Sequence, residues 1–129
     1  MEIKYKKNIK DFKYILMFDL ASKVTGVCLW SLEKRCPVYT TALRVVGNEE
    51  LPAFELLTAI KNCFHHLSVE GYDTSKILVV KEAMPTQLRG GSSTVQTFIA
   101  LARSHGVLDT MLYGNGIATY DYTGIYPIT

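Results

Sequence analysis

Apolar and polar positions along the chain follow two different periods. Residues 14–18 form an apolar run that stops on a single carboxylate, Asp19; residues 20–23 are a short polar turn, and residues 24–30 are a second apolar run. Apolar runs on either side of a tight turn predict a β-hairpin with strands Tyr14–Asp19 and Val24–Ser31. After the charged turn Glu33, Lys34 and Arg35, residues 37–46 predict a third strand, where Thr40, Thr41, Val45 and Val46 supply the β-branching that suits a pleated surface. Gly47 and Asn48 then break the pattern.

From residue 51 the spacing becomes helical. Phe54, Leu57, Ile60, Phe64 and Leu67 fall on one stripe, widened by Leu56 and Cys63, which predicts an amphipathic helix over residues 51–69. Pro52 suits the first turn, where a missing N–H is no loss, and Gly71 stands just past the end. His65 and His66 fall in the last turn, where the helix dipole favours positive charge. Neither has a second histidine one turn away, so they predict a capping role at the surface and not a metal site. Residues 71–74 are a loop.

Residues 77–80 are a short, uniformly apolar run, the pattern of a strand covered on both faces, and this run too leads to an acid, Glu82. A polar, glycine-containing stretch follows, and then a helix starting at a serine or threonine cap. Val95, Phe98, Ile99, Ala102, Leu108, Met111 and Leu112 predict its apolar face; Gly114, Asn115 and Gly116 stop it, and residues 117–122 predict a fifth strand. The order of three strands, helix, strand, helix, strand predicts an α/β fold. Its core would be a five-stranded mixed sheet, an antiparallel meander continued by α/β units, with flanking helices.

Composition narrows the class. A chain of 129 residues, 48% hydrophobic and 20% charged, has the size and usage of one globular domain. Its net charge of +2 leaves any affinity for a polyanion to a local patch. No apolar run approaches the roughly 20 residues needed to span a bilayer, and an N-terminus carrying Lys4, Lys6, Lys7, Lys10 and Lys13 does not suit a signal peptide. The expectation is a cytoplasmic protein without a membrane partner, with residues 1–13 a solvated lead-in. Cys28, Cys36 and Cys63 are odd in number and lack C-x-x-C spacing, so they predict reduced thiols.

The two strand-end acids carry the candidate chemistry. An unpaired carboxylate at the end of a buried strand costs several kcal/mol, roughly, to remove from water, and a hard divalent cation is one remedy. A hydrogen bond from Asp19 to its own turn is another, and Glu82 can equally be a solvated strand end beside Lys81. If the first and fourth strands are neighbours, Asp19 and Glu82 emerge side by side, and such a pair suits two-metal phosphodiester cleavage. Strand alternation sends Lys81 to the opposite face.

The segments ILMFDLASKVTGVCLW, ILVVKEAM, LARSHGVLD and GIATYDYTGIYPIT together resemble the RuvC group of Holliday junction resolvases, and more closely its phage-encoded branch. The resemblance covers residues 14–129. It implies a ribonuclease H-like fold, a homodimer in host-cell cytoplasm, and Mg²⁺- or Mn²⁺-dependent endonuclease cleavage of four-way junctions and other branched DNA. It also implies that Asp19 and Glu82 are two of four acidic metal ligands. Two departures stand out. Ala21 occupies a position where the family usually has glycine, and the family's remaining acids lie on a helix after the fifth strand, beyond the reach of this chain. Asp109 and Asp121 do not match them. On the resemblance the domain at 14–129 is a truncated form of a longer endonuclease, one that would bind metal weakly and cut poorly.

Lys23, Gln87, Arg89, Ser92 and Ser93, in the two loops beside the acids, are the candidates for DNA contact. Gly90 and Gly91 make no phosphate-binding motif by themselves. Two other readings stay open: a catalytically inactive ribonuclease H-like module that binds branched DNA or a protein, and an actin-like ATP-binding protein, whose glycine-rich phosphate loops are absent.

Overall fold

The computed structural model describes residues 8–21, 24–44, 52–84 and 95–122. Strands β1 (Tyr14–Asp19), β2 (Val24–Ser31) and β3 (Cys36–Arg44) precede helix α1 (Pro52–Val69); β4 (Ile77–Glu82), helix α2 (Val95–Gly114) and β5 (Thr119–Tyr122) follow. The sheet is five-stranded and mixed, in the order β3-β2-β1-β4-β5. The hairpin pairs are antiparallel, whereas β4 lies parallel to both β1 and β5.

Each strand boundary has a local cause. The β2–β3 connection turns at Arg35, which takes a left-handed φ of 54° while its amide N–H donates to the Ser31 carbonyl at 2.8 Å. Gly71, with φ 93°, ends α1 in the left-handed conformation open to a residue without Cβ, and Tyr72 N–H closes back on the Leu67 carbonyl at 3.0 Å. Asp73 caps the 3-10 turn Thr74–Lys76 by accepting from the Ser75 amide and, at 2.7 Å, from its hydroxyl. These Ser75 bonds hold the Asp73 carboxyl below its ordinary pKa. The lead-in is partly built into the fold: Lys13 N–H donates to the Lys76 carbonyl and Leu32 N–H to that of Lys13. Residues 1–7 of the expected lead-in lie outside the described residues, as do positions 45–46 of the expected third strand.

One core forms on one face of the sheet. Leu16 and Phe18 of β1, Val27 and Leu29 of β2, and Ile77 and Val79 of β4 share that face by register, and against them pack Leu56, Ile60, Cys63 and Leu67 of α1 with Leu108, Met111 and Leu112 of α2. Both helices therefore cover the same side. The chain moves from β3 to β4 and from β4 to β5 in the same direction across the sheet, and crossovers of one hand then place both helices on one face. The other face carries Ile15, Met17 and Asp19 of β1, Gly26, Cys28 and Trp30 of β2, and Leu78, Val80 and Glu82 of β4. Among the described residues no helix lies on it.

The apolar stripe of α2 is shorter than its sequence predicts. Leu108, Met111 and Leu112 are buried, but Val95 and Ile99 are exposed, so only the C-terminal half of the helix contributes to the core. No helix of the described residues is long and apolar enough to cross a membrane.

Candidate functional site

Asp19 and Glu82 are the last residues of β1 and β4, which are adjacent and parallel. Their ladder runs in register from Tyr14 opposite Ile77 to Phe18 opposite Lys81, so Asp19 and Glu82 stand one step beyond the last pair. Neighbouring strands lie about 4.8 Å apart. Phe18 and Lys81 are buried on the helix side, and alternation sends Asp19 and Glu82 to the open face, where both are exposed. Among the described residues no cation reaches either carboxylate within ion-pairing distance. Like charges on neighbouring strands repel, and a divalent cation between them would relieve the repulsion.

Gly26 is the register partner of Asp19 on β2. A Cβ there would sit 3.7 Å from that of Asp19, so its absence keeps a side chain from standing directly beside the carboxylate. Met17, Asp19, Gly26, Cys28 and Thr41 line a shallow depression of about 360 Å³ at this place. A larger cleft, about 630 Å³, lies at the opposite end of the sheet around Phe12, Phe64, Ile77 and Ile117, and among the described residues no carboxylate lines it.

Lys23, Gln87, Arg89, Ser92 and Ser93 all lie outside the described residues. Chain connectivity attaches both of their segments to the strand ends that carry the acids. Asp109 is on α2, on the far side of the sheet from the acids, where its carboxylate lies 3.3 Å from Lys81 Nζ. Asp121 pairs in register with Lys81 and not with Glu82. The structure thus brings Asp19 and Glu82 together and leaves Asp109 apart from them.

Sequence reasoning missed a polar cluster behind the site. Lys81 is only 2% exposed, and its ammonium group donates to His105 Nδ1 at 3.0 Å as well as meeting Asp109. A lysine in the inward row of an apolar strand was the available signal, together with a histidine and an aspartate one turn apart on α2. An ammonium group can only donate, so in this contact His105 Nδ1 is the acceptor.

No family model matches the chain, and no curated protein matches it in sequence. Solved structures do match in shape. RuvC of Thermus thermophilus in complex with a Holliday junction substrate superposes with a TM-score of 0.63 at 8% identity, over 85% of this chain and 64% of that one. A second structure of Thermus thermophilus RuvC gives 0.61, again at 8% identity, over 85% of this chain and 63% of that one. The fold is RuvC-like. The expected mixed five-stranded sheet with flanking helices is that of these ribonuclease H-like neighbours. At this identity the likeness speaks for the fold, and the chain spans just under two thirds of the RuvC chains it matches.

Proposed function

We propose that this chain is the core of a structure-selective DNA endonuclease that resolves Holliday junctions and other branched DNA, with Asp19 and Glu82 holding a divalent cation. The observation that carries the reading is the placement of two exposed carboxylates at adjacent parallel strand ends, on the open face of a RuvC-like sheet. The donor set fits: carboxylate oxygens are hard ligands, and Mg²⁺ is commonly held by one or two carboxylates together with waters and substrate phosphate. Bound there, Mg²⁺ or Mn²⁺ would supply a more acidic water and charge neutralisation at the scissile phosphate.

The chain's own residues bind and orient. Asp19 and Glu82 define the cation position, Gly26 leaves room for a phosphate beside it, and Lys23, Gln87, Arg89, Ser92 and Ser93 are the backbone-contact set. A homodimer would pair two such sites across a four-way junction, matching its symmetry. The phage-type branch of the RuvC group and a cytoplasmic location in the host cell belong to the same reading, as does a domain spanning residues 14–129.

Calorimetric titration with Mn²⁺ tests this directly. The wild-type chain takes up the ion, and Asp19→Asn and Glu82→Gln each weaken it about tenfold or more. A wild-type chain that takes up no metal, or variants that bind as it does, would defeat the reading. Cleavage of a synthetic four-way junction in preference to a linear duplex fixes the substrate class. A second reading is an inactive module that binds branched DNA or a protein partner through the same open face of the sheet. Junction binding by the wild-type chain without cleavage, unchanged in both variants, would favour it.

A further inference from the structure

Lys81 stands directly behind the carboxylate pair, on the opposite face of the same strand. Its neighbours in the inward row of β4 are Ile77 and Val79, and an aliphatic side chain there would complete the row. An ammonium group in that place carries a desolvation cost of several kcal/mol, roughly, before its partners offset it. Two of those partners come from α2. His105 and Asp109 are one helical turn apart, and their side chains converge on Lys81 Nζ at 3.0 and 3.3 Å.

We propose that Lys81, gripped by His105 and Asp109, is a positioning residue that fastens the end of β4 to α2 and so holds Glu82 level with Asp19. The inference rests on the metal-binding reading for its consequence, though not for its geometry. Register supplies the main argument. Lys81 opposite Phe18 is the last register pair between β4 and β1; one residue further, Glu82 keeps only its pair with Tyr122 of β5. Without a fastening at residue 81, ladder bonds alone would set the tilt of the strand end that carries Glu82 relative to Asp19. The hydrogen bond to His105 is directional, where aliphatic packing is not, so it ties the strand end to one point on α2.

The position on α2 points the same way. His105 stands between exposed Ile99 and buried Leu108, where the helix comes onto the core, and Asp109 follows one turn later beside Leu108. The grip thus joins β4 to α2 across a sequence separation of 24 residues, and it spans the connection that holds Gln87, Arg89, Ser92 and Ser93. Lys81 lies on the face away from the acids, so its effect on them is exerted through the backbone of β4.

Amide hydrogen exchange and Mn²⁺ calorimetry on the full chain test the proposal together. Lys81→Met keeps the volume and removes the charge; replacing a buried ion pair with a matched apolar group is often neutral or stabilising, so the fold is retained. Exchange at Glu82 and Ala83 should rise about tenfold while Leu16 and Leu29 keep their protection. The Mn²⁺ dissociation constant should rise about tenfold as well, the scale seen when a group supporting a metal ligand is lost. His105→Gln, which keeps an acceptor for Lys81, should stay near wild type in both readouts, and His105→Leu should follow Lys81→Met. Unchanged exchange at Glu82 and Ala83 in a folded Lys81→Met would overturn the proposal. If that variant does not fold, equal exchange in His105→Gln and His105→Leu overturns it, and a difference upholds it. Should Asp19→Asn and Glu82→Gln leave metal uptake untouched, the nuclease reading falls, and the exchange data still decide whether Lys81 fixes the strand end.

Discussion

Cys63 shows how burial sets the chemistry of a single side chain here. It lies in the core between α1 and the sheet, and desolvation raises its thiol above the ordinary cysteine pKa. An acid whose pKa is higher in the folded state ionises more readily in the unfolded chain. Its contribution to stability is therefore fully present at neutral pH and is lost as pH rises past the thiol's ordinary range. Labelling with a thiol reagent at mildly alkaline pH should modify the half-buried Cys28 and Cys36 first, with Cys63 reacting only as fast as the protein opens. Rapid modification of Cys63 in the native protein would contradict its placement. His65 and His66 illustrate the same scale: both are exposed, as their place in the last turn of α1 implies, and His66 lies 5.3 Å from the ring of Tyr39.

Secondary-structure elements end where backbone conformation requires it, and Gly71 is the clearest case. Its φ of 93° is open to glycine at little cost, and nothing lies within 4 Å of the position a Cβ would take, so a substitution would strain only the backbone. Gly71→Ala should lower the unfolding free energy by about 1–2 kcal/mol, read as a shift of the urea midpoint at constant slope. This residue was legible as a helix stop from sequence. The strands β1 and β2 were legible to the residue, because two apolar runs, the lone acid and the polar turn between them marked their limits. The apolar face of α2 was not: Val95 and Ile99 are as hydrophobic as Leu108 and Leu112, and only the position of the sheet beneath the helix separates covered turns from uncovered ones.

For the whole molecule, one core under two helices carries the stability. Leu108 is fully buried in the core that α2 shares with α1 and the sheet, and Leu108→Ala should cost about 2–5 kcal/mol. Because that core lies on the face away from Asp19 and Glu82, a moderate loss of stability should leave metal uptake by the folded fraction unchanged. Metal titration at a temperature well below the lowered midpoint checks this. The opposite face, which bears Met17, Trp30, Val80 and the two acids, gains no support from either described helix.

Residue order alone determined the elements, their sequence and the two acids at strand ends, since periodicity, turn residues and a carboxylate after an apolar run are local features. The neighbour relation between β1 and β4 is a long-range choice, decided by crossovers of one hand and by the packing of both helices on one face. The grip of His105 and Asp109 on Lys81 was likewise invisible in one dimension. Nothing in a linear pattern says which residue of a distant helix will stand beneath a strand end; that follows only from how the helix lies on the sheet.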